Sequence, residues 1–214
     1  MEFTELANFV FARHLTLAVH AALLFAVGVF VAVPVIRWRV TALQWLPVQV
    51  FRLVLRLMGG RPSILRMTLT IWLFNSAVMF LYMASGFHSM APKALAVWVG
   101  MNVAVVTVVA GREEGASGML SSAAQGRWTP SQQLGWLCSA LVLALELPSF
   151  WYALAMGISL GWDVQRGEVA YLAGLSPRAT AFLVFIVPAL LVSALAEAVA
   201  LRGAASIGGE GRDC

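Results

Sequence analysis

The sequence predicts an all-α protein, a polytopic integral membrane bundle of about five spans with one broken or kinked helix. Two observations predict it. Of 214 residues, 61% are hydrophobic and 11% charged, against about a quarter charged in a soluble domain. Five apolar runs also reach the roughly 20 residues that cross a hydrocarbon layer. The excess of basic residues, a net charge of +4, does not point to nucleic acid, because those residues flank apolar runs as membrane anchors do.

The chain opens Met1-Glu2-Phe3-Thr4-Glu5, which is acidic where a cleavable signal would be basic, so the first apolar run is expected to stay as a helix over residues 15–36. Residues 40–57 have another character. Leu43, Leu46, Val50, Leu53, Val54 and Leu57 recur at helical spacing, with Gln44, Gln49, Arg52 and Arg56 on other faces. This pattern fits an amphipathic helix on the cytoplasmic leaflet, with Arg52 and Arg56 reaching lipid phosphate. A cytoplasmic extension packed on the bundle is the other reading. Gly59-Gly60-Arg61-Pro62-Ser63 then makes a turn.

Further spans follow over residues 67–87 and 94–111, then a small-residue loop, then apolar residues from 132 to 161. That run is too long for one straight crossing at about 1.5 Å per residue. It reads as one tilted, kinked helix or as two half-length pieces meeting near Glu146 and Pro148. The last span covers residues 179–201, and residues 206–214 form a disordered tail beyond a single helical domain of residues 1–205. Trp38, Trp45, Trp98, Trp128, Trp136, Trp151 and Trp162 fall mostly near span ends, as an aromatic belt does. Cys138 lies in an apolar run and Cys214 is the last residue, so no disulfide is expected.

Orientation follows from the arginines. Arg37, Arg39, Arg52, Arg56, Arg61, Arg66, Arg112, Arg127, Arg202 and Arg212 share one side; Arg13, Lys93, Arg166 and Arg178 share the other. The bias places the first side in the cytoplasm of a multi-pass protein of the cell (inner) membrane. A re-entrant fourth segment would flip the last helix.

Polar residues inside the spans are few: Asn75, Asn102, Glu146 and Glu197. A carboxylate at a helix centre costs roughly 3 kcal/mol on insertion scales, so Glu146 needs a partner, a cavity or a function. Pro148, two residues on, removes a backbone donor at the same place. The sharp reading gathers Asn75, Asn102, Glu146 and Pro148 at one intramembrane site. The plain one makes the asparagines interhelical glue at about 0.6–2 kcal/mol per bond. Glu197 is expected at the interface. His14, His20 and His88 raise a haem or chlorophyll-type pigment as an alternative to having no cofactor. There is no metalloprotease motif, Walker loop or paired-cysteine motif. Ser85-Gly86-Phe87 and Gly157-Ile158-Ser159 place serines without an evident base, and Gly157-Ile158-Ser159-Leu160-Gly161 suits close helix approach.

Across residues 70–161 the order of elements resembles the stage II sporulation protein M family. Its early-span Phe-Asn-Asn-like element stands as Phe74-Asn75-Ser76, and its next-span Asn-Gly as Asn102-Val103. Its His-Gly-x-x-Glu-Leu-Pro-Ala element stands as Val142-Leu143-Ala144-Leu145-Glu146-Leu147-Pro148-Ser149, without the His-Gly pair, ahead of Ala155-Met156-Gly157-Ile158-Ser159-Leu160-Gly161, the pattern of a divergent member. The resemblance implies a membrane anchor for envelope-remodelling machinery. The sequence is thus expected to encode a non-enzymatic scaffold or accessory subunit that meets lipid and other membrane proteins, as a homo- or hetero-oligomer. A transporter or channel using Glu146 and a subunit of a redox or pigment-binding complex are the alternatives.

Overall fold

The computed structural model describes residues 3–59, 63–113 and 130–209. Among these the chain is helical, with no strand: α1 (Phe3–Arg37), α2 (Thr41–Met58), α3 (Ile64–Ala84), α4 (Met90–Glu113), α5 (Pro130–Gln165), α6 (Tyr171–Ala181), a π-helical turn (Phe182–Ile186) and α7 (Val187–Gly209). Five stretches are long and apolar enough to cross a membrane: Phe3–Arg37, Ile64–Ala84, Met90–Val108, Leu137–Gln165 and Tyr171–Arg202. The expected all-α bundle is therefore present.

Helix bounds differ from expectation where polar residues find partners. α1 begins at Phe3, twelve residues before the apolar run, and carries Arg13 and His14 inside it. The last rod begins at Tyr171, eight residues early, because Arg178 is satisfied within it. The predicted tail overlaps α7, which runs to Gly209. The predicted loop falls mostly on residues 114–129, outside the described residues, as do Arg61, Arg127, Arg212 and Cys214.

The fourth segment is one helix, not two half-length pieces. α5 continues through Pro148, as α1 and α2 continue through Pro34 and Pro47. Its 29-residue apolar stretch measures about 43 Å at 1.5 Å per residue. That exceeds a hydrocarbon thickness of roughly 30 Å, so no re-entrant turn is needed. The irregular turn lies elsewhere. Between α6 and α7, Val187 N–H bonds to the Phe182 carbonyl five residues back. Pro188 follows at once, and its missing N–H deprives Val184 of its usual helical donor.

Helices meet through glycines. A Cβ on Gly28 would strike the backbone of Val97 and Met101 in α4, and one on Gly100 would strike the Phe25 carbonyl in α1. The next turn continues the seam, where Ala32 and Val35 pack with Met101 and Val105. α1 and α4 therefore run parallel. Gly157 abuts the backbone of Tyr82 and Met83, and Gly161 that of His88 and Ser89, which bears out the close approach expected there. Phe150, Ala153, Leu154 and Met156 of α5 form the centre of the main core with Met79, Met83, Phe182 and Leu190. The pairings Asn75–Glu146 and Tyr82–Phe150 set α3 parallel to α5. Contact of Met67 and Ile71 with Ala194 and Ala198 sets α7 antiparallel to α3. The ends of α1, α4 and α7 thus share one end of the bundle with α2.

α1 reaches α2 through a tight reversal in which Arg39 takes a left-handed φ of 52° and Val40 N–H caps the Val35 carbonyl. α2 then folds back on the bundle. Pro47 is buried, Leu43 and Val54 pack on neighbouring helices, and Gln44 Nε2 donates to the Val35 carbonyl at 2.8 Å. Trp45, Leu46, Val50, Leu53 and Leu57 remain exposed. One face of the segment is packed on the bundle, as the second sequence reading expected, and the other is bare.

Candidate intramembrane polar site

Glu146 accepts two hydrogen bonds on Oε1, from Asn75 Nδ2 at 2.9 Å and from Ser193 Oγ at 3.1 Å. Three helices, α3, α5 and α7, are joined at this one oxygen. Asn75 stands at the middle of the 21-residue α3. One turn before it, Trp72 Nε1 donates to the Val187 carbonyl at 3.0 Å, so the irregular turn ahead of Pro188 is tied to the same face of α3. Hydrogen-bond donors on α3 and α7 thus meet the carboxyl group on α5, as a polar group at membrane depth requires.

The structure separates one expected member and adds two. Asn102 does not join the site. It lies on α4, which packs chiefly along α1, and its Oδ1 is buried without a hydrogen-bond partner. Pro148 is half-buried inside an intact helix and marks no break. Ser193 is fully buried and was not anticipated. Glu197, expected at the interface, is half-buried four residues after Ser193 and on the same face of α7. The i, i+4 spacing of Ser193 and Glu197 was the available signal.

A second cluster was missed by sequence reasoning. His14 is fully buried; its Nδ1 bonds to the Phe9 carbonyl at 2.6 Å and its Nε2 to Ser159 Oγ at 2.9 Å. Arg178 donates to Ser159 Oγ through Nε at 3.2 Å and Nη2 at 3.0 Å, to the Gly174 carbonyl at 2.7 Å and to Asp163 Oδ2 at 2.6 Å. Hydrogen-bond counting assigns one ring proton. Nδ1 faces a carbonyl and must donate. Ser159 uses its lone pairs on Arg178, and its one hydroxyl proton has two acceptors within reach, His14 Nε2 at 2.9 Å and the Met156 carbonyl at 3.2 Å. Phe9 packs edge-on to the imidazole, with Arg13 and Arg178 over its ring at 5.6 and 6.0 Å. The visible signal was a pair of opposite charges, Asp163 and Arg178, on either side of the turn at residues 166–170.

The expectation that Ser159 lacks a base is corrected by His14. The string Gly157-Ile158-Ser159-Leu160-Gly161 also has the Gly-x-Ser-x-Gly spacing of a nucleophile elbow. Here it lies inside a continuous helix, and its glycines serve backbone packing. With two guanidinium N–H groups and His14 Nε2 on Ser159 Oγ, the arrangement clamps α1, α5 and α6 together.

The proposed haem or pigment ligands fare unequally. Both ring nitrogens of His14 hold protein partners, so it has none left for a ligand. His20 and His88 are exposed, and His88 Nδ1 accepts from Met90 N–H at 3.2 Å in the α3–α4 turn. Among the aromatic residues, Trp38 and Trp45 are exposed at the α2 end, and Trp162 lies under Lys93 at 5.3 Å. Trp151 is mid-span in α5 with a buried, unpartnered Nε1, so it is no belt residue. Trp128 and the side chain of Trp136 lie outside the described residues. Arg52 and Arg56 sit exposed on α2, where lipid contact was expected.

No family model matches this chain, and searches of curated proteins and of solved structures also find no match.

Proposed function

We propose that the chain is a non-enzymatic membrane scaffold or accessory subunit, a rigid bundle that carries α2 as a shelf at one membrane surface. The observation that carries this reading is the bare face of α2. Leu46, Val50, Leu53 and Leu57 follow heptad-like spacing and stay exposed, with Arg52 and Arg56 beside them. Burying one such side chain is worth about 1.5–3 kcal/mol, a gain that water withholds and the acyl boundary of a leaflet supplies. The occupant of this face is the lipid leaflet. Arg37, Arg39 and Arg66 add positive charge at the same end, which suits anionic headgroups and a cytoplasmic orientation in the cell inner membrane.

Rigidity is supported by the glycine-to-backbone seams and by two polar clusters that each bond three helices. The resemblance to stage II sporulation protein M adds the class of partner, envelope-remodelling proteins. The test uses the full chain in nanodiscs containing anionic lipid, with a nitroxide placed by Leu53→Cys after both native cysteines are changed to serine. Shielding of the label from a water-soluble relaxation agent is expected, together with loss of co-purifying proteins when Arg52 and Arg56 are changed to Glu. A label fully open to water would overturn the shelf.

A further inference from the structure

The seam between α3, α5 and α7 holds more polar groups than the Asn75–Glu146–Ser193 lock requires. On α3, Thr68 lies seven residues before Asn75 and so on the same face. Thr68 is 6% exposed, and its Oγ1 is buried with no hydrogen-bond partner. Its neighbours Met67 and Ile71 pack against Ala194 and Ala198, the residues that bracket Glu197 on α7. The antiparallel register therefore sets Thr68 and Glu197 at one level, about a turn or two from Glu146 toward the α2 end.

The chemistry of this seam is specific. Glu197 stands one helical turn beyond Ser193, which bonds Glu146, so two carboxyl groups share one seam of an apolar bundle, where a positive charge between them offsets the cost of burying both. The polar residues of α3 and α7 along this seam are Thr68, Asn75 and Ser193, none of them charged. Among the described residues the buried arginine, Arg178, is paired with Asp163 in the other cluster. Asn75 points its Nδ2 at Glu146, which leaves its Oδ1 free to ligate, and Ser193 gives its proton to the same oxygen and retains lone pairs. All available donors are hard oxygens, which suit a proton or an alkali ion and not a thiophilic metal.

We propose that Glu146 and Glu197 share one bound monovalent cation, a proton or an alkali ion, with the Thr68 hydroxyl completing the site. The inference stands apart from the shelf on α2 and uses none of its residues.

The experiment treats the purified full chain in detergent with dicyclohexylcarbodiimide, which modifies a protonated carboxyl shielded from water, and locates the adduct by mass spectrometry. Uptake at Glu146 or Glu197 that slows when sodium chloride replaces choline chloride supports an alkali ion in competition with the proton. Uptake that is indifferent to sodium supports the proton alone. The double variant Glu146→Gln with Glu197→Gln should lose the adduct, and Thr68→Val should change the rate. No adduct at either residue of the folded wild-type chain overturns the site, and so does equal uptake by the double variant. An unchanged rate in Thr68→Val overturns the part assigned to the hydroxyl. The wild-type arm needs no substitution, so a variant that misfolds leaves the answer intact.

Discussion

Arg178 and Asp163 meet at 2.6 Å, with only 4% of the arginine side chain exposed, across the turn that joins α5 to α6. The same guanidinium holds Ser159, and Ser159 holds His14, so one cation organises three helices.

Breaking that pair should be costly. Asp163→Asn or Arg178→Met should each lower stability by about 3–5 kcal/mol, because each leaves a buried charge or a set of donors uncompensated. The double replacement by apolar residues of similar size should cost less than the sum of the two. Thermal unfolding in one detergent, followed by circular dichroism, measures all three. A double-variant loss equal to the sum of the two single losses would show that the two residues act independently.

The histidines divide in the same way. His14→Ala removes two hydrogen bonds from a fully buried site and should cost about 1–3 kcal/mol. His20→Ala, at an exposed position on the same helix, should fall within about 0.5 kcal/mol of wild type. A pigment-binding role for His20 would instead appear as visible absorption that this variant loses.

Gly28 and Gly100 should tolerate nothing larger. A side chain at either position strikes backbone of the facing helix, which cannot rotate away, so Gly28→Val should exceed the usual overpacking cost of about 1–3 kcal/mol. Gly167 is the control. It has open space and a φ of +71°, so Gly167→Ala should lose only about 1 kcal/mol from backbone conformation. Comparing the melting temperatures of the two variants separates collision from conformational preference.

Glu146 should distinguish hydrogen bonding from charge. Glu146→Gln keeps an acceptor oxygen for Asn75 and Ser193 and should stay close to wild type in stability. Glu146→Leu leaves both donors unpaired and should lose about 1–3 kcal/mol. If the two variants melt together, the bonds to Asn75 and Ser193 contribute nothing to the fold.

The helical bundle was legible because hydropathy is additive along a chain and needs no knowledge of neighbours. Asn75 with Glu146 was legible for a related reason, since each stood out as a polar group that lipid would not satisfy. The helix ends were not. Arg13, His14, Asp163 and Arg178 break the apolar pattern, and only their mutual contacts explain why helices run through them. Asn102 illustrates the opposite failure. It has the same chemistry as Asn75, but α4 packs along α1 rather than α3, and a helix's choice of neighbour is not written in its own residues. Glu197 was read only by its distance from the end of a hydrophobic run, and its spacing from Ser193 was the signal that it shares that residue's face.

The wide turn at Phe182–Ile186 amounts to one additional residue wound into an otherwise regular rod. Each residue in such a rod advances the azimuth by about 100°. With Tyr171 anchored at its start, shortening this stretch by one would rotate everything beyond it, and Ala194 would take the place of Ser193 opposite Glu146. The position of a hydroxyl deep in the bundle is therefore set by a counting irregularity two turns away, not by any bond at the hydroxyl itself.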